Sequence, residues 1–321
     1  MHWMNRFASA VAIAVVAAAL APDAKAQPLT IYEIQYTDDP NGTAPYDGLV
    51  VDCAGGICVA KFPGYRPRLI VQDPNDPDEW GAIQVKDWIS PFDMFNEVQV
   101  GDWVEFTNML VEDFRGTTML HRQTAYDPGH TIVSQDNPLP PVLMVSVADI
   151  PAPLYDPNDD GWYVENHAAE KYESMRLLVR DVTVTAMNLG KAVDNYNLQS
   201  AEGANCWASD YMNEEVEPSD YHRFVTVGQH FCGVSGVFEQ YTRLSYGWDY
   251  YQLLTLTSAD LAICGDVDHD GDVDLADLAQ LLGSYGMTSG ACFEDGDQDY
   301  DGDVDLADLA ELLGAYGFAL P

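Results

Sequence analysis

Twelve aspartates near the C-terminus have the type and spacing to do chemistry. They fall in two windows, 266–277 and 297–308, with Asp at positions 1, 3, 5, 7, 9 and 12 and Gly at position 6 of each. The run Asp-Gly-Asp-Val-Asp-Leu-Ala-Asp-Leu-Ala at 270–279 returns letter for letter at 301–310. A hard divalent cation takes about six to eight oxygens. A loop alternating acid with filler turns successive carboxylates inward, while Gly at position 6 permits the sharp bend. The spacing therefore predicts two calcium ions. Asp266, Asp268 and Asp270 would give side-chain oxygens, Asp272 its backbone carbonyl, Asp274 a water-bridged contact and Asp277 the closing carboxylate. Asp297, Asp299, Asp301, Asp303, Asp305 and Asp308 repeat these roles. A solvated acidic tail is the bland alternative for any run of like charge. It accounts neither for Gly at position 6 twice nor for an apolar stripe that begins at the same place each time.

That stripe is the element that must position the loops. Leu275, Leu278, Leu281, Leu282 and Tyr285 fall at helical spacing, as do Leu306, Leu309, Leu312, Leu313 and Tyr316. Asp274 and Asp305 are placed to cap the helix N-termini, Asp277 and Asp308 lie in the favourable first turn, and Gly286 and Gly317 follow the ends. Each unit reads as a loop and its following helix, with no amphipathic helix ahead of it. This duplicated half-hand, with Asp at position 12, resembles a type I dockerin, the module by which secreted bacterial proteins plug into cohesin domains. The resemblance covers about the last sixty residues. It implies a cohesin-like partner contacted by loop positions 10 and 11, here Leu275, Ala276, Leu306 and Ala307, and by the helices. Dockerins often carry hydroxyl residues at those positions, and this chain has no Lys or Arg anywhere from 264 to 321.

The first 26 residues read as an address. Arg6 supplies a positive start, Phe7 to Ala21 an apolar core, and Ala24-Lys25-Ala26 a small-x-small cleavage site. The apolar run is short for a membrane span and no second candidate follows, so a secreted protein is expected. Millimolar calcium outside a cell fills even weak loops. The composition, 52 acids against 14 bases for a net charge of −38 with 47% hydrophobic residues, suits an acidic globular protein that repels polyanions.

Six cysteines fit an oxidising compartment, and six allow fifteen pairings. The local set, Cys53 with Cys58, Cys206 with Cys232 and Cys264 with Cys292, is the favoured expectation. Zinc held by Cys206, His222, His230 and Cys232 is the rival, at a spacing that matches no common zinc signature.

Residues 27–262 read as β-rich, in short β-branched and aromatic runs parted by Asp/Pro/Asn/Gly turns. Expected strands include Leu49–Val51, Ile57–Phe62, Leu69–Gln72, Ala82–Val85, Trp103–Val111 and Thr118–His121. After a proline-bearing linker come Met175–Ala186, Tyr196–Gln199, Phe224–Val227, Phe231–Tyr241 and Tyr250–Thr257. Val100-Gly101-Asp102-Trp103 matches Val227-Gly228-Gln229-His230, each leading into a long strand. These steps, with the Ile-Val-Gln-Asp-Pro and Gly-Ala-Ile-Gln-Val strands, resemble bacterial OB-fold domains found beside secreted nucleases and phosphatases. The expected fold is mainly β: two OB-like barrels over 29–148 and 149–262, followed by a small all-α dockerin-like module over 264–321.

An OB groove for single strands needs basic residues and aromatic platforms. Only Lys61, Arg66 and Arg68 cluster, near Phe62 and Tyr65, and the overall charge argues against nucleic acid. Trp80, Trp88, Trp103, Trp162, Trp207 and Trp248 would serve either as a sugar platform or, given the area each buries, as core anchors. No phosphate-cradling loop with Lys, no His-Glu-x-x-His and no Gly-x-Ser-x-Gly elbow occurs, and 52 acids offer carboxylate pairs by chance alone. The sequence thus reads as a secreted, non-catalytic calcium-binding protein in which a dockerin-like module attaches two barrels to a partner. The alternatives are an extracellular hydrolase or polysaccharide-binding component, and an OB-type nucleic-acid binder.

Overall fold

The computed structural model describes residues 27–63, 66–189, 192–211 and 225–320. The signal-like segment 1–26, Tyr65 and His222 lie outside them. The described chain is mainly β, with four α-helices among the described residues.

A short helix α1 (Ile31–Gln35) opens it. Thr30 Oγ1 accepts from the Glu33 N–H at 3.1 Å and the Glu33 carboxylate accepts from the Thr30 N–H at 2.9 Å, a reciprocal cap that satisfies otherwise orphaned donors. The helix drops Ile31 and Ile34 into the first core, with Leu69, Val71, Val85, Phe106 and Leu120. The strands around that core are β1 (Val50–Phe62), β2 (Arg68–Gln72), β3 (Ala82–Lys86), β4 (Trp103–Phe114) and β5 (Thr117–His121). Helix α2 (Asp93–Glu97) lies between β3 and β4 and contributes Met94 to the core. β1, β2 and β3 form an antiparallel meander, β3 runs parallel to β5, β5 pairs back to β4, and β4 closes on β1. This is a closed five-stranded barrel in the OB strand order. β6 (Gly129–Ser134) adds to the free side of β4.

The second sheet begins with three short strands, β7 (Leu143–Met144), β8 (Leu154–Asp156) and β9 (Gly161–Tyr163). It continues through β10 (Arg176–Leu189), β11 (Ala192–Ser200), β12 (Asn205–Ser209), β13 (His230–Arg243) and β14 (Trp248–Leu254). β10, β11 and β12 form a meander, β12 runs parallel to β14, β14 pairs with β13, and β13 returns to β10. The circuit of the first barrel is repeated strand for strand. The matching Val-Gly steps repeat atom for atom as well. Gly101 N–H donates to Cys58 O at 2.9 Å and Cys58 N–H to Asp102 O at 2.8 Å, while Gly228 N–H donates to Val184 O at 2.8 Å and Val184 N–H to Gln229 O at 2.9 Å. Both glycines have positive φ, +91° and +94°, which a Cβ disfavours.

Several expected elements change. Leu49–Val51 and Ile57–Phe62 merge into β1, because register shifts between residues 51 and 56 bend one strand rather than ending it. The described part of Phe224–Val227 is the turn before β13, not a strand. β6, β7, β8, β9, β12 and the short strand Leu261–Ala262 have no counterpart among the expected runs.

The barrels meet through a third apolar cluster, in which Ile57, Val59, Phe62 and Ile70 of the first pack on Val237 and Leu254 of the second. Thr117 Oγ1 donates to Gln240 O at 2.7 Å and Thr118 N–H to Glu173 Oε2 at 2.9 Å across the same seam.

After the second barrel, β15 (Leu261–Ala262) pairs with β13, and this corrects the cysteine pairing. Gly233 opposes Ala262, so Cys232 is brought to Cys264, and those two form the disulfide. Cys53 and Cys58 both lie on β1, where about 3.3 Å of rise per residue holds their Cα atoms farther apart than the ~7 Å limit for a bridge. They remain buried thiols, as does Cys206 in the second core, while Cys292 is an exposed thiol. The local pairings 53–58, 206–232 and 264–292 are therefore not formed. The zinc alternative is not assembled either: Cys232 is bridged, Cys206 is buried in the core, and His230 Nδ1 lies 3.1 Å from Thr183 Oγ1.

Helices α3 (Leu275–Ser284) and α4 (Leu306–Ala315) follow the aspartate loops. They share a core of Val267, Val273, Leu281, Val304 and Leu312. Val273 exchanges backbone hydrogen bonds with Gly317 and Phe318, and Val304 with Gly286 and Met287, so each loop is tied to the chain leaving the other loop's helix. The helices do not stand apart from the barrels, because Phe318 and Leu320 also pack against the second barrel's core.

Candidate metal centre

In each loop the local sequence forces the carboxylates together. Asp274 caps α3 through Oδ1, which accepts the Ala276 N–H at 2.6 Å, and Asp277 answers by accepting the Asp274 N–H at 2.8 Å. The second loop has Asp305 on the Ala307 N–H at 2.6 Å and Asp308 on the Asp305 N–H at 2.7 Å. Asp277 also accepts from Val267 and Asp308 from Gln298, both at 2.7 Å, so the closing acid reaches back over the loop start. Asp266 takes the Asp270 and Gly271 N–H groups, and Asp297 takes those of Asp301 and Gly302. Gly271 and Gly302 at position 6 carry φ of +94° and +91°.

The result places one oxygen each of Asp266, Asp268 and Asp277 within 4.8 Å of one another, and likewise Asp297, Asp299 and Asp308. A second trio in each loop, Asp272, Asp274 and Asp277 or Asp303, Asp305 and Asp308, meets the same limit. Asp270 and Asp301 belong to neither trio. They turn Oδ1 to the N–H of Asp272 and of Asp303. Asp266, Asp277, Asp297 and Asp308 are all buried, in a segment without Lys or Arg. Burial, then the neighbouring Asp277 and Asp270, pushes Asp266 up to about 7 despite the opposing pull of His269. Buried carboxylates converging without a cation of their own segment form an oxygen-only donor set, which suits a hard divalent ion.

Around these loops the helices present matched surfaces. Leu275, Leu282 and Tyr285 are 68, 52 and 47% exposed, and Leu306, Leu313 and Tyr316 are 67, 53 and 46% exposed. Ala276 and Ala307 are exposed beside them, whereas Leu281 and Leu312 face the shared core.

The basic cluster expected on the first barrel is dispersed. Lys61 Nζ donates to Val98 O at 2.5 Å, Arg68 reaches Gln84 at 2.9 Å and Glu239 at 3.6 Å, and Phe62 is buried between the barrels. Arg66 instead joins an aromatic cluster that the sequence did not reveal. Its guanidinium lies 4.5 Å from the Trp88 ring, Lys86 Nζ lies 4.5 Å from Trp88 and 3.9 Å from Phe114, whose rings meet edge to face at 5.1 Å, and Arg115 lies 5.4 Å from Phe114 and 5.5 Å from Tyr241. Lys86 is fully buried and paired to Glu112 at 2.8 Å. Its ammonium is pushed down to about 8 by burial, against the pull of that carboxylate. The tryptophans form no single platform. Trp162 meets Trp207 edge to face, and Trp207 and Trp248 lie tilted against Tyr250 in the second barrel, while Trp80 meets Tyr36, and Trp103 packs on the inter-barrel cluster.

A second feature without a sequence signal is a group of buried acids at the barrel seam. Glu170 Oε2 accepts from Tyr251 OH at 2.8 Å. Burial raises Glu170 to about 8, and raises Glu173 well above the ordinary carboxylate range with Glu170's charge adding to it. Cys53, Cys58 and Cys206 are pushed up to about 12 by burial, so these thiols are unreactive.

Among the described residues no helix is long and apolar enough to cross a membrane. No protein family and no curated protein matches the sequence. Solved structures that resemble it include Schizosaccharomyces pombe Pot1pC bound to ssDNA, with TM-score 0.23, 16% identity, 29% of this chain and 84% of that one covered. A replication protein A heterotrimer bound to ssDNA gives 0.23, 10%, 74% and 71%. Fission yeast Pot1 with ssDNA gives 0.26, 12%, 65% and 79%. TM-scores this low equate neither fold nor function, and the OB strand order rests on the pairing registers themselves.

Proposed function

We propose that the protein is a secreted, non-catalytic attachment protein. Its two aspartate loops bind calcium, and its dockerin-like helices fix two OB-like barrels to a cohesin-type partner. The observation that carries this reading is the pairing of two near-identical oxygen-donor loops with two equally exposed Leu-Leu-Tyr stripes. Exposed apolar patches of this kind mark interaction surfaces. Calcium would supply the positive charge that closes each loop, and closed loops would hold the helix N-termini and stripes in register. The test is capture of the full chain by immobilised cohesin domains with calcium and with chelator. Capture that ignores calcium, or none across a cohesin panel, sinks the reading.

A second reading, single-stranded nucleic acid bound to the first barrel, is favoured by the cluster of Arg66, Trp88, Lys86, Phe114 and Arg115, since aromatic rings beside cations suit such ligands. Against it stand the net charge of −38 and the covering of β2 by the second barrel. Fluorescence anisotropy with a labelled oligothymidine at low salt separates the two, binding lost in Arg66→Ala with Arg115→Ala being the outcome that favours nucleic acid.

A further inference from the structure

The two loops are near-copies, yet they face different surroundings. Position 4 is His269 in the first and Tyr300 in the second, both left-handed with φ of +56° and +55°. His269 stays within its own segment, 3.8 Å from the Glu294 carboxylate and 5.3 Å from the Phe293 ring. Tyr300 lands on the second barrel. The Arg180 guanidinium lies 5.5 Å from its ring, Phe293 stacks on it at 5.9 Å, and a Cβ built on Gly233 would lie 2.4 Å from its hydroxyl oxygen. Only glycine at 233 lets the ring seat there.

The helices divide in the same way. Gln280 of α3 donates to Glu294 O at 2.7 Å, inside the segment. Its counterpart on α4, Glu311, lies 2.9 Å from Cys232 Sγ and feels Asp181 and Arg180 of β10. Arg180 also faces Asp299, the third-position acid of the second loop.

We propose that the second loop is a calcium-set latch, in which the ion seats Tyr300 on Gly233 and clamps the C-terminal segment to the second barrel, while the first loop takes no part in that contact. The inference rests on the calcium reading above. Tyr300 directly follows Asp299, so the loop closure that gathers Asp297, Asp299 and Asp308 also fixes the backbone from which the ring projects. Without the ion, repulsion among Asp297, Asp299, Asp301 and Asp308 opens the loop and withdraws the ring, leaving the Cys232–Cys264 bridge and the packing of Phe318 and Leu320 on the second barrel as the tethers. Linkage is reciprocal: whatever unseats Tyr300 must weaken calcium at the second loop by the same factor.

The test is calcium titration calorimetry on the full chain. Asp270→Ala disables the first loop and leaves the second to be measured, and Asp301→Ala does the converse. Adding Gly233→Ala should weaken calcium about tenfold in the first background and leave it unchanged in the second. No change in either background, or equal weakening in both, overturns the latch. The added methyl also meets Leu178 Cδ1 at 2.9 Å, so Tyr300→Asn is run beside it. Asparagine tolerates the left-handed backbone while removing the ring, and must reproduce the same pattern for the latch to stand. A parent protein that takes up no calcium refutes the calcium reading itself, a result distinct from uptake that ignores Gly233.

Discussion

Leu275 and Leu306 occupy the same first-turn position of α3 and α4, and their exposures differ by a single percentage point. With Leu282 and Leu313, and Tyr285 and Tyr316, they make two faces of matched exposure, and the proposed partner is expected to dock by either. Leu275→Asp alone should weaken partner binding only about twofold, the statistical loss of one of two orientations. Leu275→Asp with Leu306→Asp should abolish most of it, because an unpaired charge in an interface costs several kcal/mol. Circular dichroism on the same samples must show intact calcium-dependent helix. A single variant as damaged as the double rules out the two-fold docking.

Calcium should drive folding of the C-terminal segment. Its core is five buried apolar residues, set against twelve loop aspartates. In chelator the helical signal should fall, and adding calcium should restore it, because an ion bound only to the folded loops adds its binding free energy to stability. Asp270→Ala with Asp301→Ala should remove this response while the barrels keep their own cooperative transition. Equal ellipticity with calcium and with chelator would contradict the prediction.

How much was legible follows from range. The aspartate loops, their caps and the helices after them were readable because each contact spans fewer than a dozen residues: Asp274 bonds Ala276, and Asp277 bonds Val267. The barrel duplication was readable from one step, Val100-Gly101 against Val227-Gly228, because a turn that needs positive φ leaves glycine in the sequence. The cysteine pairing was not. Cys232 meets Cys264 only because β15 adds to the β13 edge, and the strand register that decides this carries no local signal. The cation cluster and the seam acids were equally hidden, since Lys86, Phe114 and Arg115, or Glu173 and Thr118, are joined by pairing between strands and barrels.

The disulfide gives a direct check on that register. Peptide mapping under non-reducing conditions should recover Cys232 linked to Cys264, with Cys53, Cys58 and Cys206 alkylated only after unfolding. Cys232→Ser with Cys264→Ser, which releases a tie across a sequence separation of 32, should cost on the order of 3 kcal/mol. Recovery of a 206–232 or 264–292 peptide would overturn the placement of β15.

The seam acids set a pH dependence whose sign can be worked out. Glu170 and Glu173 have folded-state pKa values raised above the ordinary carboxylate range, chiefly by burial. The folded chain therefore holds protons that the unfolded chain has released above about pH 4.5. Stability from these groups is fully present at acid pH, declines as pH rises, and for Glu170 is lost through about pH 8. Each such proton is worth about 1.4 kcal/mol per pH unit within that window. His167, raised by its bond to Asp249, adds a loss of the same sign. Glu112 and Asp249 oppose it, because their lowered values give stability that is lost only on acidification. Lys86, held down to about 8 in the fold, gives stability that rises with pH above that value, so in calcium-containing buffer the thermal midpoint of the barrels should fall between pH 6 and pH 8. Glu170→Gln keeps an acceptor for Tyr251 OH and carries no charge to expose, so it should flatten the decline while Tyr251 stays buried. A midpoint that rises with pH over this range, or a Glu170→Gln profile parallel to that of the parent, would show that these acids are already ionised in the fold and that the seam is held open to water.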